Sequence, residues 1–209
     1  MRTLIVGAGA VGGYFGMKLA RAGSPVTFLA RGETLRQLRE TGLRVESDGE
    51  GSFLLSPVDA VESPAGHGPF ELVFVCVKAQ DTALAVGGLG AVLAPDAIVL
   101  SLQNGIESEE TIERRLGIPP MLRAVAFIGA ESTAPGVIRH VSGGTIVLGE
   151  PDDRPSARLE RLVAVLRAAT IAVRIPESIR RAKWQKLAWN ASFNTIAAIT
   201  GRNVAAILA

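Results

Sequence analysis

One cysteine, Cys76, in a chain of 209 residues excludes an internal disulfide. It lies inside the apolar run Leu72 to Val77, which assigns it to core packing. No run of about 18 uninterrupted apolar residues occurs, so no membrane-spanning helix is expected. The N-terminus enters an apolar strand without a basic leader or cleavage site, and a soluble, cytoplasmic protein is the expectation. Low-complexity tracts and internal repeats are absent, and with 48% hydrophobic and 20% charged residues the chain is globular. Its formal charge is only +2, and the basic residues are scattered rather than gathered beside aromatics, which argues against nucleic acid as a partner. Lysine is scarce: Lys18, Lys78, Lys183 and Lys186 stand among 22 basic residues, the rest being arginine. Each lysine is therefore notable, because a compact ammonium can surrender a proton and a guanidinium cannot.

What is present begins at the N-terminus. Leu4, Ile5 and Val6 form a continuous apolar run, as in a parallel strand covered on both faces. Gly7, Ala8, Gly9, Ala10, Val11 and Gly12 follow as G-x-G-x-x-G, and a helix is expected from about Ala10 to Ala22. Gly7 allows the tight turn, Gly9 lets the backbone approach a pyrophosphate, and Gly12 lets the helix pack closely on the strand. Alone the motif is weak; the strand before it, the helix after it and a second strand at Pro25 to Ala30 supply the context it requires. The Walker pattern is absent, which argues against a P-loop nucleotidase. Arg31 follows the second strand, where an acidic residue would accept the ribose 2′-hydroxyl of NAD. A guanidinium there can instead grip a 2′-phosphate, so NADP is the expected cofactor. The plainer alternative is a surface arginine paired with Glu33.

Further strands are expected near residues 43–46, 52–55, 71–77, 97–102, 121–130, 137–141, 145–148 and 171–175. Helices are expected near 33–41, 82–93, 106–116 and 156–168, the second of these weakened by Gly87, Gly88 and Gly90. Lys78 and Asn104 both fall at the carboxyl ends of strands, where open α/β sheets bind ligands. Lys78 equally suits snorkelling from a buried strand, and Asn104 suits a turn and helix cap. His67 sits in a polar loop, and His140 is expected on a strand edge.

Pro176 marks a boundary. The chain thus divides into residues 1–176, an α/β unit of Rossmann type that binds a dinucleotide, and residues 177–209, the start of an all-helical C-terminal domain. Within the segment from Ser178, Lys186, Asn190 and Asn194 recur at i, i+4 and i+8 and share one helical stripe. Asparagine is a poor interior helix residue, so the stripe either faces a cleft and an oxygen-rich ligand or is a solvated face.

Together GAGAVG, Arg31, VCVKAQ, LQNG and WQKLAWNASFN resemble the ketopantoate reductase (2-dehydropantoate 2-reductase) family from end to end. The resemblance implies NADPH-dependent reduction of 2-dehydropantoate to pantoate on the route to pantothenate and coenzyme A. It implies that residues 7–12, Arg31, Lys78, Asn104 and Ala130 meet the cofactor. Lys186 would be the proton donor, and Asn104, Asn190 and Asn194 would bind the substrate. Family members continue into a larger helical domain with a serine segment and an active-site glutamate. On that pattern the chain stops after the domain's first helix, and exposed apolar residues there favour self-association, such as a homodimer. Two other readings stand beside it: a non-catalytic NADP-binding or sensor module, and a reductase of another 2-oxo acid.

Overall fold

The computed structural model describes residues 1–202 and 206–207. Residues 203–205 and 208–209, in the segment expected to be helical, lie outside the described residues. The strands are β1 (Thr3–Val6), β2 (Val26–Leu29), β3 (Leu43–Ser47), β4 (Gly51–Leu55), β5 (Asp59–Val61), β6 (Phe70–Val75), β7 (Leu93–Ser101), β8 (Arg123–Ala134), β9 (Val137–Gly149) and β10 (Ala172–Arg174). The α-helices are α1 (Ala10–Arg21), α2 (Gly32–Glu40), α3 (Thr82–Ala85), α4 (Ser108–Leu116), α5 (Ala157–Ala168), α6 (Ile179–Trp189) and α7 (Thr195–Thr200).

The first sheet is parallel, in the order β5-β2-β1-β6-β7. The order reverses between β1 and β6, and the crevice outside the carboxyl ends of these strands is where such sheets take ligands. Strand alternation explains why both faces are covered. Ile5, Phe74 and Leu100 point into one core cluster, and Leu4, Val73 and Val99 into the other. The chain is thus α/β with a Rossmann-type sheet, as expected.

A second sheet packs beside α1. Its strand β9 pairs antiparallel with β8 over nearly its full length, so β3 and β10 take successive stretches of the other edge. The two strands expected at 137–141 and 145–148 are therefore one. Gly143 and Gly144 carry it through with φ of +83° and +99°, and a Cβ on Gly144 would lie 2.6 Å from the Tyr14 hydroxyl. His140, expected on an edge, is instead buried: its Nδ1 shares a 2.8 Å hydrogen bond with Ser47 Oγ, and its ring lies 4.3 Å from that of Tyr14.

Two other expectations change. The helix expected at 82–93 is reduced to α3 between two short 3₁₀ turns, because Gly88 adopts φ +84° and breaks it. The single helix expected from Ser178 is three segments, α6, a π-helical turn at Asn190–Asn194 and α7. Ser178 caps α6 as its sequence position suggests, accepting from Arg181 N. Val125, Val147, Ile179 and Ala182 form the small cluster that seats α6 on β8 and β9. Among the described residues no helix is long and apolar enough to cross a membrane.

Candidate active site

The site begins where β1 ends. Gly7 has φ +99°, and a side chain there would meet Val77 at 2.9 Å, so the turn is tight and needs glycine. Gly12 lies against the same turn: its Cβ would fall 2.1 Å from the Gly7 carbonyl oxygen and 2.9 Å from Ile5. Gly9 differs, since nothing lies within 4 Å of a Cβ built on it. Its surface is open, and it caps α1 without a side-chain hydrogen bond, leaving the first N–H groups of the helix directed at the space in front of it. That combination suits a pyrophosphate.

Two cavities flank this turn and share Gly7, Gly9, Val77 and Asp81. One, of about 420 Å³, runs toward the end of β2 and is lined by Ala8, Ala30, Arg31 and Thr34. Arg31 is exposed at its mouth, 3.9 Å from the Asp81 carboxylate. Glu33 does not take it: its carboxylate accepts from Arg36 at 2.5 and 2.9 Å and from Gln37 at 3.0 Å. Asp81 is half-exposed and its contact long, so Arg31 remains available to an anion.

The other cavity, of about 480 Å³, lies between the Gly7–Val11 turn and helix α6. Ala10, Val11, Lys78, Asn104, Ala130 and Lys186 all line it. Lys78 is exposed at the rim. Cys76 packs against the core as expected, yet one side opens on this cavity, and burial pushes its thiol pKa up. Lys186 is half-buried, donates to the carbonyl oxygen of Ala126 on β8 and stands 5.3 Å from the centre of the Phe127 ring. Burial, and secondarily the charge of Lys183, bring its pKa down to about 8.

Asn190 joins this group through a 3.5 Å hydrogen bond from its Nδ2 to Asn104 Oδ1, at a recess beside the cavity. Asn194 lines neither space; it lies further along the helix, exposed, at the end of the π-helical turn. A wider i→i+5 turn sets the register back where an α-helix carries it forward, so the three residues keep a common side. The structure therefore brings together Lys186, Asn104 and Asn190 and leaves Asn194 outside.

Sequence reasoning gave no role to two features. Gln103 Nε2 donates to the Val77 carbonyl and to Thr82 Oγ1, both at 2.8 Å, tying the ends of β6 and β7 beneath the cavity. Its place at a strand's carboxyl end was the available signal. Lys183, one of the scarce lysines, forms a buried ion pair with Glu109 in the first turn of α4.

Residues 3–153 match the family model described as "Ketopantoate reductase PanE/ApbA", and residues 178–209 match the model of its C-terminal part. A 2-dehydropantoate 2-reductase from Mesorhizobium japonicum is 33% identical over 230 residues, covering all of this chain and 70% of the relative. The crystal structure of 2-dehydropantoate 2-reductase from Geobacter metallireducens superposes with TM-score 0.91 at 36% identity, over 100% of this chain and 69% of that one. A D-mandelate dehydrogenase solved with NADH and anilino(oxo)acetate shares the fold, with TM-score 0.87 at 23% identity over 96% of this chain and 65% of that one. Against three curated relatives the chain spans 62%, 65% and 70% of their lengths.

Proposed function

This chain belongs to the ketopantoate reductase family of oxidoreductases, and on that footing we propose that it reduces 2-dehydropantoate to pantoate with NADPH. The observation that supports the reading is one cavity with a dinucleotide turn on one wall and the Lys186 ammonium on the other. In this reading the Rossmann-type unit spans residues 1–176, and residues 177–209 open the substrate domain.

The free N–H groups after Gly9 and the open face of Gly9 hold the pyrophosphate, Arg31 grips the 2′-phosphate, and Lys78, Asn104 and Ala130 border the nicotinamide end. NADPH, when bound, supplies the hydride. Reduction at the 2-oxo carbon leaves negative charge on oxygen, which needs a cation that stabilises it and then gives a proton. Lys186 suits both tasks: with a pKa of about 8 it is mostly charged at neutral pH, yet it releases its proton more readily than a solvated lysine. The Asn104 and Asn190 amides orient the substrate's oxygens without adding charge, and Asn194, further along the same side, extends that polar surface. Trp184, Trp189 and Ile199 are exposed on the C-terminal segments, so self-association in a cytoplasmic setting belongs to the same reading.

The test follows NADPH absorbance in the presence of ketopantoate and of other 2-oxo acids. Oxidation is expected, fastest with ketopantoate. NADPH binding without oxidation would instead support a non-catalytic module, and faster turnover of an aryl oxo acid would replace the named substrate.

A further inference from the structure

Two of the four lysines lie three residues apart on α6, Lys183 and Lys186, and so on neighbouring positions of its surface. Lys183 is buried, with its side chain 8% exposed, and its ammonium donates to Glu109 Oε1, whose side chain is 2% exposed. The partners are 74 residues apart in sequence, so the bond ties α6 to the start of α4. That start follows the Asn104–Gly105 turn, and Asn104, Gly105, Lys183, Lys186 and Asn190 line one small recess. Glu109 Oε2 has no hydrogen-bond partner among the described residues. A buried carboxylate satisfied at one oxygen by one ammonium is a weak contributor to stability, so a role for the pair has to be sought in what it holds in place.

We propose that the Lys183–Glu109 pair is a positioning element for Lys186: it pins α6 to the Asn104 turn and holds a second, fixed ammonium beside the proton donor. The proposal rests on reading Lys186 as that donor. Glu109 matters because its carboxylate accepts from the Lys183 ammonium and fixes that charge in place beside its neighbour. The groups facing Lys186 are consistent with this. They are Lys183 from α6, the Ala126 carbonyl and Phe127 ring from β8, and Asn104 from the turn after β7; Cys76, Lys78 and Asp81 line the same cavity beyond the end of β6. The small cluster beneath α6, including Val147 of β9, is apolar. Lys183 is the charge that, after burial, lowers the proton affinity of Lys186.

With four lysines in the chain, ¹³Cε-lysine NMR reads each one separately, and Lys186→Ala assigns its signal. In the unaltered protein Lys186 is expected to titrate near 8. In the double variant Lys183→Met/Glu109→Leu, which replaces the pair by apolar groups of similar size, the midpoint should rise by about half a pH unit or more. Lys183→Arg keeps charge and partner and should leave it in place. Should the double variant fail to fold, Lys183→Gln gives the same reading, since it removes the ammonium while keeping an amide donor for Glu109, and the midpoint again rises. An unmoved midpoint in a folded variant overturns the proposal. NADPH oxidation measured on Lys186→Ala separates the two levels: turnover that survives there overturns the donor reading and the proposal with it. Turnover lost there, with an unmoved midpoint, overturns the role of the pair alone.

Discussion

Gly12 and the Gly7 carbonyl oxygen are so close that a methyl group on Gly12 would stand 2.1 Å from that oxygen, whereas a methyl group on Gly9 would meet nothing within 4 Å. The two glycines of one motif thus answer to different constraints. Gly12→Ala is expected to cost about 3 kcal/mol or more, because backbone has to shift, and to lower Tm by roughly 6–12 °C. Gly9 has φ −78°, which any residue adopts, so Gly9→Ala should leave Tm nearly unchanged while weakening NADPH binding at least about tenfold. Thermal melts paired with a fluorescence titration of NADPH separate the two outcomes.

Arg31 is exposed, and its contact with Asp81 is long, so Arg31→Ala should alter stability by no more than about 0.5 kcal/mol. Its effect should fall on cofactor choice. The NADPH-to-NADH affinity ratio is expected to drop by roughly 10- to 100-fold, matching the loss of charge-assisted bonds to a phosphate. An unchanged ratio would refute the phosphate role.

Turnover should depend on the protonated form of Lys186. Because its pKa is lowered to about 8 by burial and then by Lys183, the rate is expected to be highest below that pH and to fall about tenfold per unit above it. Lys186→Arg stays charged but does not give up a proton, so turnover should drop at least about 100-fold with NADPH affinity preserved. Steady-state rates between pH 6 and 10 (roughly two units on either side of the expected midpoint) together with NADPH titrations check both points.

Glu150 supplies a test of stability against pH. Its buried carboxylate accepts from Arg158 at 2.5 and 2.7 Å and from Ser156 at 2.5 Å, and the Arg158 bonds hold its pKa below the ordinary 4.5. A lowered carboxyl pKa contributes stability in full above the unfolded value and loses it as pH falls through the folded one. Glu150→Gln should therefore be destabilised by about 1–3 kcal/mol at pH 7, and the gap to the unaltered protein should narrow at a pH well below the ordinary 4.5. Urea denaturation at neutral pH and in that acid range measures it.

The first βαβ unit was legible because its signals are local: an apolar run, glycines at fixed spacing and a helix stop. Features set by distant partners were not. Asp59–Val61 carries no alternation over three residues and is a strand only because β2 offers an edge. Gly143 and Gly144 read as a turn, yet β8 holds them in a continuous strand. At the candidate site, Gly7, Arg31 and Asn104 stand out from residue type and their place after strands, and Lys186 from the helical stripe it shares with Asn190 and Asn194. Glu109 carries no such signal: in sequence it is simply an acid in the first turn of a helix, favoured by the dipole, because its partner lies on another helix.

The π-helical turn at Asn190–Asn194 makes this part of the chain a counter as well as a scaffold. Such a turn holds one residue more than the α-helix on either side, so its contribution lies in number rather than identity. Exchanging Ala191 or Ser192, both exposed, changes little in that count. Deleting either one would return the segment to α register and leave α7 in nearly its present phase, whereas drawing all the present residues into α register would rotate α7 by about 100° relative to α6. The wide turn thus absorbs one residue and keeps the phase between Lys186 and α7, so what it answers to is chain length rather than side-chain identity.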